Sequence, residues 1–216
     1  MKKLLLSAAA LLALSATTAN AAQGDVLVRL RGIMVAPTED SSAVLPTFPT
    51  ASVSVDNSIV PEIDFTYFLT NNIGLELIAA TSWHDISGEG SLAGLGEIAD
   101  TMVLPPTLTV QYHFMPDAKI RPYVGAGVNY TIFYSEGAKA SLTNAIGQTS
   151  VGLSDSVGWA VQAGVDVDIS KRYFLNADIK YIDINTTATL NTGGLINKVD
   201  VDLNPIVAGV GIGMRF

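Results

Sequence analysis

Cysteine is absent from the chain, which excludes a disulfide scaffold, an iron–sulfur cluster, a thiolate zinc site and a cysteine nucleophile together. Charge is scarce: Asp, Glu, Lys and Arg make up 15% of the residues, where soluble domains run at about 25%. Basic side chains are outnumbered 12 to 20 by acidic ones, so a basic nucleic-acid footprint is excluded. Histidine occurs only at His84 and His113, and no spacing joins either to a carboxylate set that would hold a metal. Past the N-terminal segment no apolar run reaches the length of about 20 residues that a spanning helix needs. Yet 49% of the 216 residues are hydrophobic and the mean hydropathy is +0.38. A chain this apolar, without a spanning helix, must meet an apolar environment in some other way.

The N-terminus carries its own signal. Lys2 and Lys3 precede the apolar run Leu4 to Leu14, and small residues follow to Ala19-Asn20-Ala21. Charged start, short apolar stretch and A-x-A site form the secretory pattern, so residues 1–21 are expected to be cleaved and 22–216 to form the single mature domain. No lipid-anchoring cysteine is available.

Along the mature chain the apolar period is two, the period of a strand with one face apolar. Eight such segments are expected, at about 26–36, 59–69, 73–83, 106–114, 121–134, 156–169, 173–184 and 204–216. In the fifth, for example, Val124, Ala126, Val128 and Tyr130 oppose Gly125, Gly127 and Asn129. Strands of this length exceed the soluble average of about 5–6 residues and suit the roughly 9–11 of a membrane strand. Connections also alternate in length. Those around Thr70-Asn71-Asn72, Met115 to Lys119 and Ser170-Lys171-Arg172 are tight, whereas 37–58, 84–105, 135–155 and 185–203 read as long loops. The expected fold is therefore all-β: an eight-stranded antiparallel up-and-down transmembrane barrel with short periplasmic turns and long extracellular loops. Its partner is outer-membrane lipid. Aromatic residues fall at strand ends, with Tyr112, Phe114, Tyr173 and Phe216 near the turns and Trp83 and Trp159 toward the loops. These are expected to form the two interface girdles.

Alternation also sorts the interior. Arg29, Arg31, Glu62, Asp64, Glu76, Arg121 and Lys180 fall on the face opposite the apolar one, where they can form an internal ion network, and Ile78 joins them. Gly125, Gly127, Gly209, Gly211 and Gly213 fall there too. They are expected either to line a cavity beneath the loops or to relieve crowding in a curved wall. An eight-stranded barrel holds side chains or one small ligand, not a wide pore. No His–Ser pair is suggested by spacing, so no catalytic residue, metal or cofactor is expected. A short helix is expected around Ala138 to Leu142, bracketed by Gly137 and Gly147.

Six stretches in order resemble the OmpW family of outer-membrane barrels. They are Ala36-Pro37-Thr38-Glu39, Thr70-Asn71-Asn72-Ile73-Gly74-Leu75-Glu76-Leu77, Leu104-Pro105-Pro106-Thr107-Leu108, Arg121-Pro122-Tyr123-Val124-Gly125-Ala126-Gly127-Val128-Asn129-Tyr130-Thr131, Asp183-Ile184-Asn185-Thr186-Thr187 and Gly213-Met214-Arg215-Phe216. The resemblance implies a narrow barrel with an apolar lumen in the outer membrane of a Gram-negative cell. It also implies binding or passage of a small hydrophobic ligand, or alternatively stress-related, phage or colicin reception by a plugged barrel. Ile78 falls where such barrels carry an apolar constriction. Lys180 stands where a large apolar side chain is implied, and so departs from the pattern. The closing Phe216 resembles the signal read by the barrel-assembly machinery.

Overall fold

The structure, a computed structural model, describes residues 22–216; the expected signal segment 1–21 lies outside the described residues. Its strands are β1 (Val26–Ala36), β2 (Asp40–Ser41), β3 (Ala51–Val55), β4 (Ser58–Phe68), β5 (Ile73–Ala80), β6 (Ser82–Gly90), β7 (Glu97–Leu104), β8 (Thr107–His113), β9 (Ile120–Ala138), β10 (Thr149–Leu153), β11 (Ser156–Asp168), β12 (Tyr173–Ile182), β13 (Asn185–Thr192), β14 (Leu195–Asp202) and β15 (Ile206–Arg215). One helix, α1 (Ala140–Ile146), follows β9.

Eight of these strands close a barrel in the order β11-β12-β15-β1-β4-β5-β8-β9, and β9 pairs back to β11. Every neighbour is antiparallel. Closure leaves the barrel wall no unpaired edge, the condition for meeting hydrocarbon. The outward face is apolar and exposed, as with Leu30, Leu77, Val128, Ile179 and Val210. Trp83, Trp159, Tyr112, Phe114 and Tyr173 point outward, each about half exposed, and Phe216 is partly covered. Phe68 and Phe174 sit at the same turn end but face inward, fully buried with Leu27.

Two of the tight turns use one device. The Thr70 hydroxyl accepts from the backbone N–H of Asn72 and Ile73, and the Ser170 hydroxyl accepts from those of Arg172 and Tyr173. A short side chain that bonds the backbone two or three residues on stabilises a reversal without more chain.

The long connections depart from the expected loops. Past breaks at Thr81 and at Pro105-Pro106, β6 and β7 continue upward and pair with β3 on one side and the upper part of β9 on the other. A second sheet, β10-β13-β14-β2, stands opposite. Strands extend well above the lipid-facing band, so the mouth is walled by sheet rather than ringed by loops. The β13–β14 hairpin turns on Gly193 and Gly194, which take φ of 58° and 96° and so need glycine. Helix α1 ends at Gly147, φ 102°, as the bracketing glycines predict.

Candidate functional site

The interior is built in three layers. At the turn end Leu27, Phe68 and Phe174 form an apolar stopper. The His113 ring stacks on Tyr123 at 5.0 Å and tilts against Phe68 at 4.8 Å. Arg29 and Arg121 lie over the Phe174 ring at 5.6 and 5.5 Å. A cation over an aromatic face keeps part of its stabilisation after leaving water.

Above the stopper, the sequence-predicted charges meet. Arg29 grips Asp166 through two nitrogens, at 3.2 and 3.1 Å, and reaches Asp64 at 2.9 Å. Arg31 contacts Glu62 and Asp64 at 2.7 Å and Asp178 at 2.8 Å. Lys180 contacts Glu62 and Asp178, both at 2.8 Å. Arg121 contacts Asp168 at 2.6 Å, and Arg215 reaches the same carboxylate at 3.4 Å. Glu76 accepts from Thr109 at 2.8 Å and from Gln162. Apart from Asp168, which is partly exposed, these groups are almost wholly buried. Taking an ion out of water costs several kcal/mol, so such charges persist only when interlocked like this. The network spans the lumen and blocks a straight aqueous path. Asp166, Asp168 and Asp178 complete it.

The five glycines expected at a cavity wall do not line one. A Cβ on Gly127 would lie 1.9 Å from the Leu108 carbonyl oxygen, and one on Gly211 would lie 2.1 Å from that of Leu30. At Gly213 it would meet the Phe174 ring at 2.1 Å. A Cβ on Gly125 would lie 2.8 Å from the Gln162 side-chain nitrogen, and one on Gly209 would lie 2.6 Å from an Asp178 carboxylate oxygen. Here glycine admits the plug and the neighbouring strands at close range. Alternation places these residues inward but says nothing of what fills the space.

The cavity lies higher, between the network and the extracellular mouth. Its floor is Ile33, Ile78 and Val207 with Glu62 at the edge, and its walls include Ile86, Val103, Phe133 and Ile184. Val44, Leu92, Leu190 and Val201 close in from the upper sheets. Its volume is about 80 Å³, on a measure by which one water takes about 10–15 Å³. That is room for a chain-like or flat apolar molecule. Of the predicted lumen residues, Ile78 and Glu62 touch this space, whereas Arg29, Arg31, Asp64, Glu76, Arg121 and Lys180 lie beneath it.

A few polar side chains interrupt the apolar lining, and two of them form a pair that spacing alone did not suggest. Ser82 Oγ lies 2.8 Å from His84 Nε2, and His84 Nδ1 lies 2.7 Å from the Asp56 carbonyl oxygen. Both side chains are almost fully buried. The i, i+2 spacing on one strand puts them on one face, a signal hidden because 84–105 read as loop. Burial holds the His84 imidazole below its usual pKa of 6.5, so the ring is neutral. Asp85, on the outer face, is held below the usual carboxylate range by Lys139 at 3.0 Å.

With this geometry in hand, the sequence model of the OmpW family matches residues 22–216. The chain belongs to the OmpW family. It is 39% identical over 220 residues to outer membrane protein W of Vibrio cholerae, covering all of both chains. The solved structure of the outer membrane protein OprG from Pseudomonas aeruginosa aligns with a TM-score of 0.86 at 31% identity, over 93% of this chain and 99% of that one. A Pseudomonas aeruginosa relative named dibenzothiophene metabolism operon protein PahQ is 26% identical over 78% of this chain and 76% of its own. This OmpW-family barrel is thus an integral outer-membrane protein, seated in the lipid bilayer through its apolar outer face.

Proposed function

We propose that this barrel takes small hydrophobic molecules from the outer face of the membrane into the cavity above its ion network, binding them or passing them onward. The carrying observation is the position of the cavity: apolar on floor and walls, framed by extracellular sheets, and closed below by charges. An apolar solute gains about 25 cal/mol for each Å² it removes from water, so such a space retains it without a specific partner. The relative named for a dibenzothiophene operon supports the same class of cargo. The reading includes no catalytic step. Phe216, whose N–H donates to the Val26 carbonyl in the closing strand pair, serves as the signal to the assembly machinery.

Uptake of a radiolabelled polycyclic hydrocarbon by a deletion strain, compared with the complemented strain, tests the proposal. Slower uptake on deletion is expected; equal rates overturn it. The alternative, a plugged barrel whose surface receives a phage or colicin, draws on the ion network alone and leaves the enclosed apolar space without a use.

A further inference from the structure

The hydrogens of the Ser82–His84 pair on the cavity wall can be placed. The Asp56 carbonyl can only accept, so the single proton of the neutral His84 ring resides on Nδ1 and is donated to Asp56. Nε2 is therefore the acceptor, and the Ser82 hydroxyl donates its only proton to it at 2.8 Å. Ser82 Oγ keeps two lone pairs, and no described residue donates to them. The hydroxyl lines the cavity, among Ile86, Val103 and Ile98. A buried serine oxygen in such surroundings can accept a bond but has no proton left to give.

We propose that Ser82 Oγ receives a hydrogen bond from the ligand, and that the cavity therefore selects apolar molecules carrying one hydroxyl or N–H donor, such as long-chain alcohols or alkylphenols. The proposal rests on the cavity being the ligand site, as argued above. Alkanes leave the Ser82 lone pairs unmet. Ethers and esters bring a second acceptor against the first. An alcohol offers the missing proton while its chain fills the apolar space. The other polar side chains on the lining are already engaged: Thr101 donates to the Met102 carbonyl, Thr107 to the Pro105 carbonyl and Thr186 to the Ser154 carbonyl, and the Glu62 carboxylate is held by Arg31 and Lys180. Selection thus rests on Ser82, with His84 fixing its polarity and Asp56 fixing the tautomer.

Three probes of matched size separate these cases: 1-octanol, 1-methoxyheptane and n-nonane. Each is titrated into the full barrel in lipid nanodiscs, and the amide NMR shifts of Ser82 and His84 report binding at the site. Octanol is expected to bind roughly three- to tenfold more tightly than the other two, the span of one net hydrogen bond. In Ser82→Ala its advantage disappears while nonane binding is retained. In His84→Phe, Ser82 regains a free proton, and methoxyheptane rises to match octanol. Heat-modifiable gel migration verifies that both variants are folded. Equal affinities in the unaltered barrel, or an octanol preference that survives in Ser82→Ala, overturn the donor rule while the cavity reading stands. If none of the probes shifts these amides, the cavity reading falls and the rule with it.

Discussion

The Lys180 ammonium lies 2.8 Å from the Glu62 carboxylate, although β15 and β1 stand between the strands that carry them. Asp178 holds the same ammonium at 2.8 Å, and Arg31 links both carboxylates. The bridge forms the top of the ion network, just under the cavity floor. A lysine in the place of a large apolar side chain is compatible with the lumen because Glu62 and Asp178 both hold its ammonium.

Removing one member of this cluster should therefore cost more than removing two. Lys180→Leu is expected to destabilise the folded barrel by roughly 3 kcal/mol, since two buried carboxylates lose a cation. Lys180→Leu combined with Glu62→Gln should recover part of that loss. Urea unfolding followed by heat-modifiable migration gives the comparison; a double variant as weak as the single one contradicts the bridge.

Glycine positions on the inner face should differ sharply from those on the outer face. Gly127→Ala drives a Cβ into the Leu108 backbone, which cannot move without breaking the β8–β9 pairing. Gly32 has open space beyond its Cα. Gly127→Ala is expected to lower the yield of folded barrel severely, and Gly32→Ala to leave it unchanged or slightly raised, by up to about 1 kcal/mol in stability. Refolding yield in lipid vesicles distinguishes them.

Filling the cavity should abolish binding without unfolding the barrel. Val207 forms part of the floor and is 3% exposed. Val207→Phe extends a ring into the free space and should weaken binding of a small apolar probe at least tenfold. Overpacking of this size costs about 1–3 kcal/mol. Retained affinity in a folded Val207→Phe barrel would place the ligand elsewhere.

The wall around His84 should loosen in acid. Burial lowers the pKa of His84 in the folded state, so the unfolded wall takes up the proton more readily. The associated stability is complete above the ordinary value of 6.5 and declines as pH falls below it. Hydrogen exchange at β3 and β6, corrected for intrinsic rate, should quicken as the pH falls below about 6.5. In His84→Phe that acceleration should vanish.

Eight membrane strands, their turns and their inward faces could be read from the chain because a period of two is local: each residue's side follows from its neighbours' sides. Arg29, Glu62 and Lys180 were placed inside by that rule alone. The inward aromatics Phe68 and Phe174 are not legible in the same way, because strand-end position does not tell an inward aromatic from an outward one. The upper strands are not legible in the sequence because their apolar residues, such as Val53, Val199 and Val201, gain burial only against one another across the assembled mouth. The Gly193-Gly194 turn was the one local sign of them.

Composition and alternation by themselves determine that this chain closes a barrel in lipid, since lipid admits no unpaired backbone and the apolar face has nowhere else to go. Tertiary structure alone decides what the barrel holds. Which carboxylate meets Lys180, whether a glycine opens a cavity or admits a neighbour's backbone, and where the Ser82 proton points all depend on distances between strands far apart in sequence. Those distances are set by closure and register, which no local pattern contains.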